Sequence, residues 1–156
     1  MKGPAARRAA WCMKGRRKAR ALALQVLYEV DSSNHPPGTV LEQRLEVSPL
    51  KDDLGDFAQR LIFGVLQHRV ELDRMIARFA PEWPVEQMAL VDRNVLRLAL
   101  WEFAVGRETP VRVAINEAVE VAKVFGSESS PRFVNGVLGS LAEHVDAGAR
   151  NSQEGE

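Results

Sequence analysis

Three observations in the amino-acid sequence predict an all-α fold. Apolar residues recur at helical spacing along most of the chain, and no segment shows the two-residue alternation of a half-buried strand. The periodic segments are separated by turn-forming residues, as in Ser32-Ser33-Asn34-His35-Pro36-Pro37-Gly38. The segment Val91–Val105 is apolar nearly all round, a pattern that belongs in the middle of a helical bundle.

The elements follow in order. Residues 1–13 lack helical periodicity and are expected to form a disordered extension ahead of a helical domain spanning 14–146. The first helix is predicted from about Arg16 to Asp31, with Ala19, Leu22, Ala23, Val26 and Val30 as its buried stripe. Arg17, Ala21, Leu24 and Tyr28 lie on the adjoining side, so a tyrosine shares that side with the cations. A short helix over Thr39–Glu46 is followed by a long one over Asp52–Phe79. The stripe of the long helix is Phe57, Leu61, Gly64, Val65, His68, Leu72, Met75 and Ile76. Pro81 and Pro84 then break the chain. Within Val91–Val105 the polar side chains Asp92, Arg93, Asn94, Arg97 and Glu102 must find solvent or partners. Pro110 opens the next helix, which Gly126 ends after Phe125. A serine of Ser127–Ser130 can cap the last helix, with Pro131 at its first position and Val134, Leu138, Leu141 and Val145 as its stripe. Phe133 falls one step off that stripe, at the edge of the core. Residues 147–156, rich in Gly, Ser and Glu, are expected to be a disordered tail.

The 156 residues are 46% hydrophobic and 27% charged, enough to build one domain or two small lobes. Cys12 is the single cysteine, so no internal disulfide is possible, which fits a reducing compartment. No apolar run approaches the ~20 residues of a membrane span, and the basic start lacks the apolar region of a secretory signal.

Net charge is zero overall but is strongly divided. Residues 1–28 hold Lys2, Arg7, Arg8, Lys14, Arg16, Arg17, Lys18 and Arg20 with no acid, a charge of +8. Residues 29–156 hold 13 basic and 21 acidic side chains, a charge of −8. A basic arm on an acidic body points to two partners, a polyanion and a basic surface.

Catalytic constellations are missing from the sequence. His35, His68 and His144 are scattered, with no Cys or carboxylate at ligand spacing. There is no phosphate-binding loop and no nucleophile elbow. The acids of Lys51–Asp56 have the wrong spacing for a calcium loop and read as a helix start. No metal and no cofactor is expected. What remains is phosphate and base chemistry. Arginine clusters bind phosphates through bidentate hydrogen bonds, and aromatic rings stack on unpaired bases. Arg16, Arg17, Lys18 and Arg20, with Gln25 and Tyr28 on the same helix, offer both to a single-stranded RNA. The same residues also fit a solvated basic helix end with a half-buried tyrosine. Phe133, beside Lys123 and Arg132, fits either base stacking or the core edge.

Three blocks of the sequence resemble the NusB family of transcription antitermination factors. They are Arg16-Arg17-Lys18-Ala19-Arg20 continuing to Gln25-Val26-Leu27-Tyr28, then Val91-Asp92-Arg93-Asn94-Val95-Leu96-Arg97-Leu98-Ala99-Leu100-Trp101-Glu102, then Pro110–Lys123 with Phe125-Gly126 and Phe133-Val134-Asn135-Gly136-Val137-Leu138. Phe57 and Gly64-Val65 fit the helix between, and the resemblance runs from about Arg16 to Val145.

The resemblance implies a NusB-like bundle of about seven helices in two helical subdomains, without enzyme activity. It implies binding of the boxA element of ribosomal-RNA transcripts together with the small-subunit ribosomal protein NusE, within the RNA polymerase antitermination complex in the cytoplasm. Carried over by position, Arg16, Arg17, Lys18 and Arg20 resemble the phosphate contacts, with Gln25 flanking them and Tyr28 close by. The Ser127–Arg132 loop, including Ser129 and Arg132, resembles a second RNA-contacting region with Phe133 and the neighbouring Lys123. Asp92 and Glu117 resemble acids at the ribosomal-protein surface. Ser129 stands where members often carry an acid, so somewhat tighter RNA binding by the protein alone is expected. Asn116 and Asn135 are expected to satisfy backbone groups between helices, and Gly136 and Gly139 to let helices approach closely. Two other readings compete: a stand-alone relative of the RNA-binding domain of ribosomal-RNA cytosine methyltransferases, and a helical scaffold that binds protein only. Monomer and homodimer both stay open.

Overall fold

A computed structural model describes residues 13–154. Residues 1–12, which hold nearly all of the expected extension and Cys12, lie outside the described residues, as do 155–156. Seven α-helices and no strand occur among the described residues: α1 Gly15–Ser33, α2 Pro37–Val47, α3 Leu54–Gln67, α4 Arg69–Phe79, α5 Leu90–Leu100, α6 Val111–Phe125 and α7 Ser130–Glu154. A 3₁₀ turn at Val85–Gln87 precedes α5, and a π turn at Trp101–Val105 extends it.

Helices α1–α3 pack mainly on one another, and α4–α7 do likewise. The two groups join where α1 lies on α5 and α6 and α3 lies on α5 and the π turn. They share one core, in which Leu24, Leu27, Phe57, Leu61, Ile62, Leu72, Ile76, Leu96, Leu100, Phe125, Leu138 and Leu141 are almost completely buried. Because α1 is covered by both groups, its apolar stripe is wider than its periodicity predicts. Ala21 and Leu24, expected beside the open cationic side, are fully buried.

Several boundaries have local causes. Asn34 takes the left-handed conformation (φ 58°) that asparagine tolerates, and its N–H closes α1 on the Val30 carbonyl at 3.0 Å. Pro37 starts α2, where a missing N–H costs nothing. The long helix expected over Asp52–Phe79 is two helices. The break is at His68 (φ −108°, ψ 14°), whose ring Nδ1 lies 2.9 Å from the Gly64 carbonyl that its own backbone N–H also reaches. Because a carbonyl only accepts, Nδ1 donates, and the ring takes a place at the helix end. Pro110 precedes α6 as its cap, and α6 begins at Val111. Helix α7 keeps helical backbone to Glu154, through most of the stretch 147–156 that composition assigned to a tail.

The expected helix at Val91–Val105 changes pitch at Trp101. The Gly106 N–H bonds the Trp101 carbonyl at 2.7 Å, five residues back. The Trp101 indole packs close against two glycines. A Cβ on Gly64 would come within 2.3 Å of the indole, and one on Gly106 within 2.8 Å. Gly136 and Gly139 differ: a Cβ there would meet nothing within 4 Å, so close helix approach is not their role. Asn116 and Asn135 are likewise exposed and do not bridge helices.

Candidate RNA and partner surface

The polar residues of α5 find their partners on other helices. Asp31, near the end of α1, takes two hydrogen bonds from Arg93 (both 2.7 Å), one from Asn94 (3.0 Å) and one from Arg97 (3.2 Å). Arg97 also binds both oxygens of Asp73 on α4, at 2.7 and 2.9 Å. Burial pushes the Asp31 carboxyl up, but the Arg93 and Asn94 hydrogen bonds and the charges of Arg97 and Arg93 outweigh it. The carboxyl therefore sits below its ordinary value. Glu102, only 2% exposed, accepts Arg20 Nη2 and the Thr109 hydroxyl, both at 2.8 Å, and Arg20 Nε at 3.1 Å. The π turn thus supplies the carboxylate that holds α1 from inside.

This pair corrects one expectation. Arg20 is buried and committed to Glu102, so it is not part of an open phosphate site. Its spacing could not reveal an acid 82 residues away. Gln25 is also occupied. Its side-chain N–H₂ donates to the Ala21 carbonyl at 3.2 Å, and its oxygen accepts Arg44 of α2 at 2.8 Å.

The remaining cations of α1 face outward. Arg16 is exposed, with its guanidinium 4.6 Å from the Phe57 ring centroid. Lys18 is half-buried and donates to the Pro49 carbonyl at 3.1 Å. Arg17 forms a two-pronged pair with Glu117 of α6, at 2.9 and 3.0 Å. One residue expected to meet RNA therefore holds one expected to meet a partner. The Arg17 hydrogen bond brings the Glu117 carboxyl below its usual range, against the opposing effect of its partial burial, and the charges of Arg17 and Arg20 add to the lowering.

Helix α6 runs beside α1 from this pair towards the other end. Lys123 lies along the way, 3.0 Å from Glu120. At the far end an open groove of about 480 Å³ is lined by Tyr28, Leu90, Asp92, Phe125, Ser127 and Ser130, among others. Tyr28 is half-buried at its wall, and Asp92 Oδ1 is buried there without a hydrogen-bond partner among the described residues. A desolvated carboxylate oxygen with no donor is an acceptor waiting for one. The Ser127 N–H binds Ser130 Oγ at 2.9 Å, and Ser127 Oγ lies 3.1 Å from both Ser129 Oγ and Ser130 Oγ. This hydroxyl mesh fixes the loop. Ser129 and Arg132 are exposed, and Phe133 is half-buried against the core, where its spacing places it. From Arg17 to Tyr28, α1 covers about 16 Å at 1.5 Å per residue, so the cationic end and the groove form one track.

Arg44, Phe57 and Arg60 also shape this surface, and the sequence alone did not assign them to it. Arg44 lies 3.3 Å from Glu29, and Arg60 lies 3.0 Å from Glu108. No local spacing signals either pairing. Among the described residues no group of three or more His, Cys, Asp or Glu could hold a metal ion, and no helix is long and apolar enough to cross a membrane.

Comparison with known proteins covers the same helices. The NusB family model matches residues 17–143. The transcription antitermination protein NusB of Roseiflexus castenholzii is 49% identical over 128 residues, which is 81% of this chain and 90% of that protein. A crystal form of NusB from T. maritima superposes with a TM-score of 0.77 at 32% identity, over 83% of this chain and 92% of that one. The crystal structure of antitermination factors NusB and NusE in complex with double-stranded RNA superposes with a TM-score of 0.76 at 27% identity, over 83% of this chain and 96% of that one. The match spans both groups of helices and the whole α1–α6 track, and on it the chain belongs to the NusB family.

Proposed function

We propose that this protein is a non-catalytic RNA-binding antitermination factor acting in the cytoplasm. It holds a boxA-type single-stranded RNA of a ribosomal-RNA operon transcript on the α1–α6 track. It takes a basic small-subunit ribosomal protein of the NusE kind at the groove end that holds Asp92, and it promotes read-through by RNA polymerase. The observation that carries the reading is the shared groove. Tyr28, a stacking aromatic, and Asp92, an orphaned carboxylate, line one groove, and the exposed Arg17 lies on the same side of α1 as Tyr28, with Arg16 next to it in sequence. Aromatic and cation suit an unpaired strand, and the carboxylate suits a cationic protein side chain. The family's named relatives and a solved complex of NusB and NusE with double-stranded RNA support the antitermination reading. On this reading Arg16, Arg17, Lys18, Lys123 and Arg132 contact phosphates, Tyr28 and Phe133 contact bases, Ser129 lies beside the strand, and Asp92 faces the ribosomal protein. Glu117 tunes Arg17 at the edge of the joint surface.

The test is fluorescence anisotropy of a labelled boxA-like RNA and a scrambled control, with and without the ribosomal partner, over a salt series. With about four or five phosphate contacts, log affinity should fall with log salt at a slope near −3. Binding should favour the boxA-like strand, strengthen with the partner, and be lost in Arg16→Glu/Arg17→Glu. Equal weak binding to both RNAs, indifferent to the partner, would overturn the reading.

A further inference from the structure

Phe57 of α3 is 2% exposed, and three guanidinium groups lie around its ring: Arg16 at 4.6 Å from the centroid, Arg20 at 5.3 Å and Arg60 at 5.8 Å. We propose that Arg60 is a phosphate-binding residue that, with Arg16, carries the RNA off α1 and across Phe57 onto α3. The proposal rests on the RNA reading above and lengthens its track.

The three arginines are neutralised to different degrees. Arg20 spends its charge on the buried Glu102. Arg60 meets Glu108 through Nε alone, at 3.0 and 3.3 Å, so its two terminal nitrogens have no partner among the described residues. Arg16 has no carboxylate partner among the described residues. Arg20 is matched by Glu102 and, at 4.0 Å, by Glu117, whereas Glu108 is the one carboxylate paired with either Arg16 or Arg60 among the described residues, so the uncompensated charge lies at that exposed pair. The two distances to the ring keep these guanidinium carbons within about 10 Å of each other, roughly a Debye length at 0.1 M salt, so a strand feels them as one site. Stacking on an aromatic ring holds a guanidinium flat and leaves its in-plane N–H groups free to grip non-bridging phosphate oxygens. Glu108 is a surface carboxylate, and a phosphate can displace an ion pair of that kind at little cost. Continuity decides for RNA over an acidic protein. Arg16 is the neighbour of Arg17 on α1, so the Phe57 cluster adjoins the cationic end of the track.

The experiment is anisotropy of labelled single-stranded boxA-like RNA with the full chain, comparing wild type, Arg60→Gln and Glu108→Gln over a salt series. Arg60→Gln is expected to weaken binding about fivefold at 0.1 M salt and to reduce the steepness of the salt dependence by about 0.7, one single-strand phosphate contact. Glu108→Gln breaks the same ion pair but leaves the cation, and binding should hold or tighten. Equal losses in both variants would make the ion pair structural and overturn the proposal. Unchanged RNA binding by Arg60→Gln, with wild type still binding steeply, overturns it and leaves the main track standing. Loss of ribosomal-protein binding alone in Arg60→Gln assigns the surface to protein and also overturns it. Wild type that binds no RNA removes the underlying reading instead.

Discussion

At one end of α1, Asp31 receives four hydrogen bonds from Arg93, Asn94 and Arg97. At the other end, Arg17 grips Glu117 with two. Both are bidentate arginine–carboxylate contacts of nearly the same length. They differ in surroundings. The Asp31 and Arg93 side chains are 11% and 15% exposed, whereas Arg17 is 44% exposed. A buried pair is costly to break because each member strands the other away from water. An exposed pair is screened and worth at most about 1 kcal/mol, so a phosphate or a partner can compete for it. The same chemistry therefore ties the two groups of helices together at one end and leaves an exchangeable contact at the other.

The sharpest way to break this comparison is to cut both pairs. Asp31→Ala leaves Arg93 and Arg97 without their shared carboxylate, and denaturant unfolding should show a loss of about 3–5 kcal/mol. Arg17→Ala should cost no more than about 1 kcal/mol. Equal costs would erase the distinction.

Acid sharpens the same contrast. The Asp31 and Glu117 carboxyls are both held below their ordinary values, near 3.9 and 4.3. A carboxyl depressed by folding stabilises the protein above its unfolded value. That contribution is lost as pH falls through the folded value. Unfolding followed from pH 6 downwards should therefore show stability falling below about pH 4.5, and the fall should flatten in Asp31→Asn more than in Glu117→Gln. A flatter curve in Glu117→Gln would place the main acid-sensitive pair at the surface.

A smaller effect belongs to function. Glu117→Gln removes the carboxylate that occupies Arg17, and RNA affinity at low salt should rise about twofold to fivefold with stability changed by less than about 1 kcal/mol. Weaker binding would show that Glu117 positions Arg17 and does not compete for it. The smallest effect is expected in the serine loop. Ser129→Asp adds a charge next to the track and should weaken RNA binding about twofold through repulsion. Equal affinities would take the loop out of the RNA surface.

The sequence made the helices legible because periodicity reports which face is covered. It placed the all-round apolar segment at the centre and the cations at one end of α1. It missed the break at His68 because the apolar stripe runs through it with no Gly or Pro at the break itself, and the ring-to-carbonyl contact leaves no spacing signal. It put Arg20 with its neighbours because composition does not say which of four cations turns inward. Only the π turn, which presents Glu102, decides that. The meeting of Tyr28 with Asp92 depends on how α1 lies against α5, a tertiary fact that the family resemblance could only imply. Arg60 was invisible because its significance lies in sharing a ring with Arg16, on another helix.

Time adds a last consequence to the contacts of α1. Its partners are far along the chain: Arg93 is 62 residues from Asp31, Glu102 is 82 from Arg20, and Glu117 is 100 from Arg17. At a synthesis rate of about 5–20 residues per second, Arg17 waits about 5–20 s for Glu117 to be made. During that interval the cations of α1 stand without their acids, and Leu24 and Leu27 without their cover. Helix α1 leaves the ribosome well before the helices that complete it, and the surface it carries becomes selective only when α5 and α6 arrive.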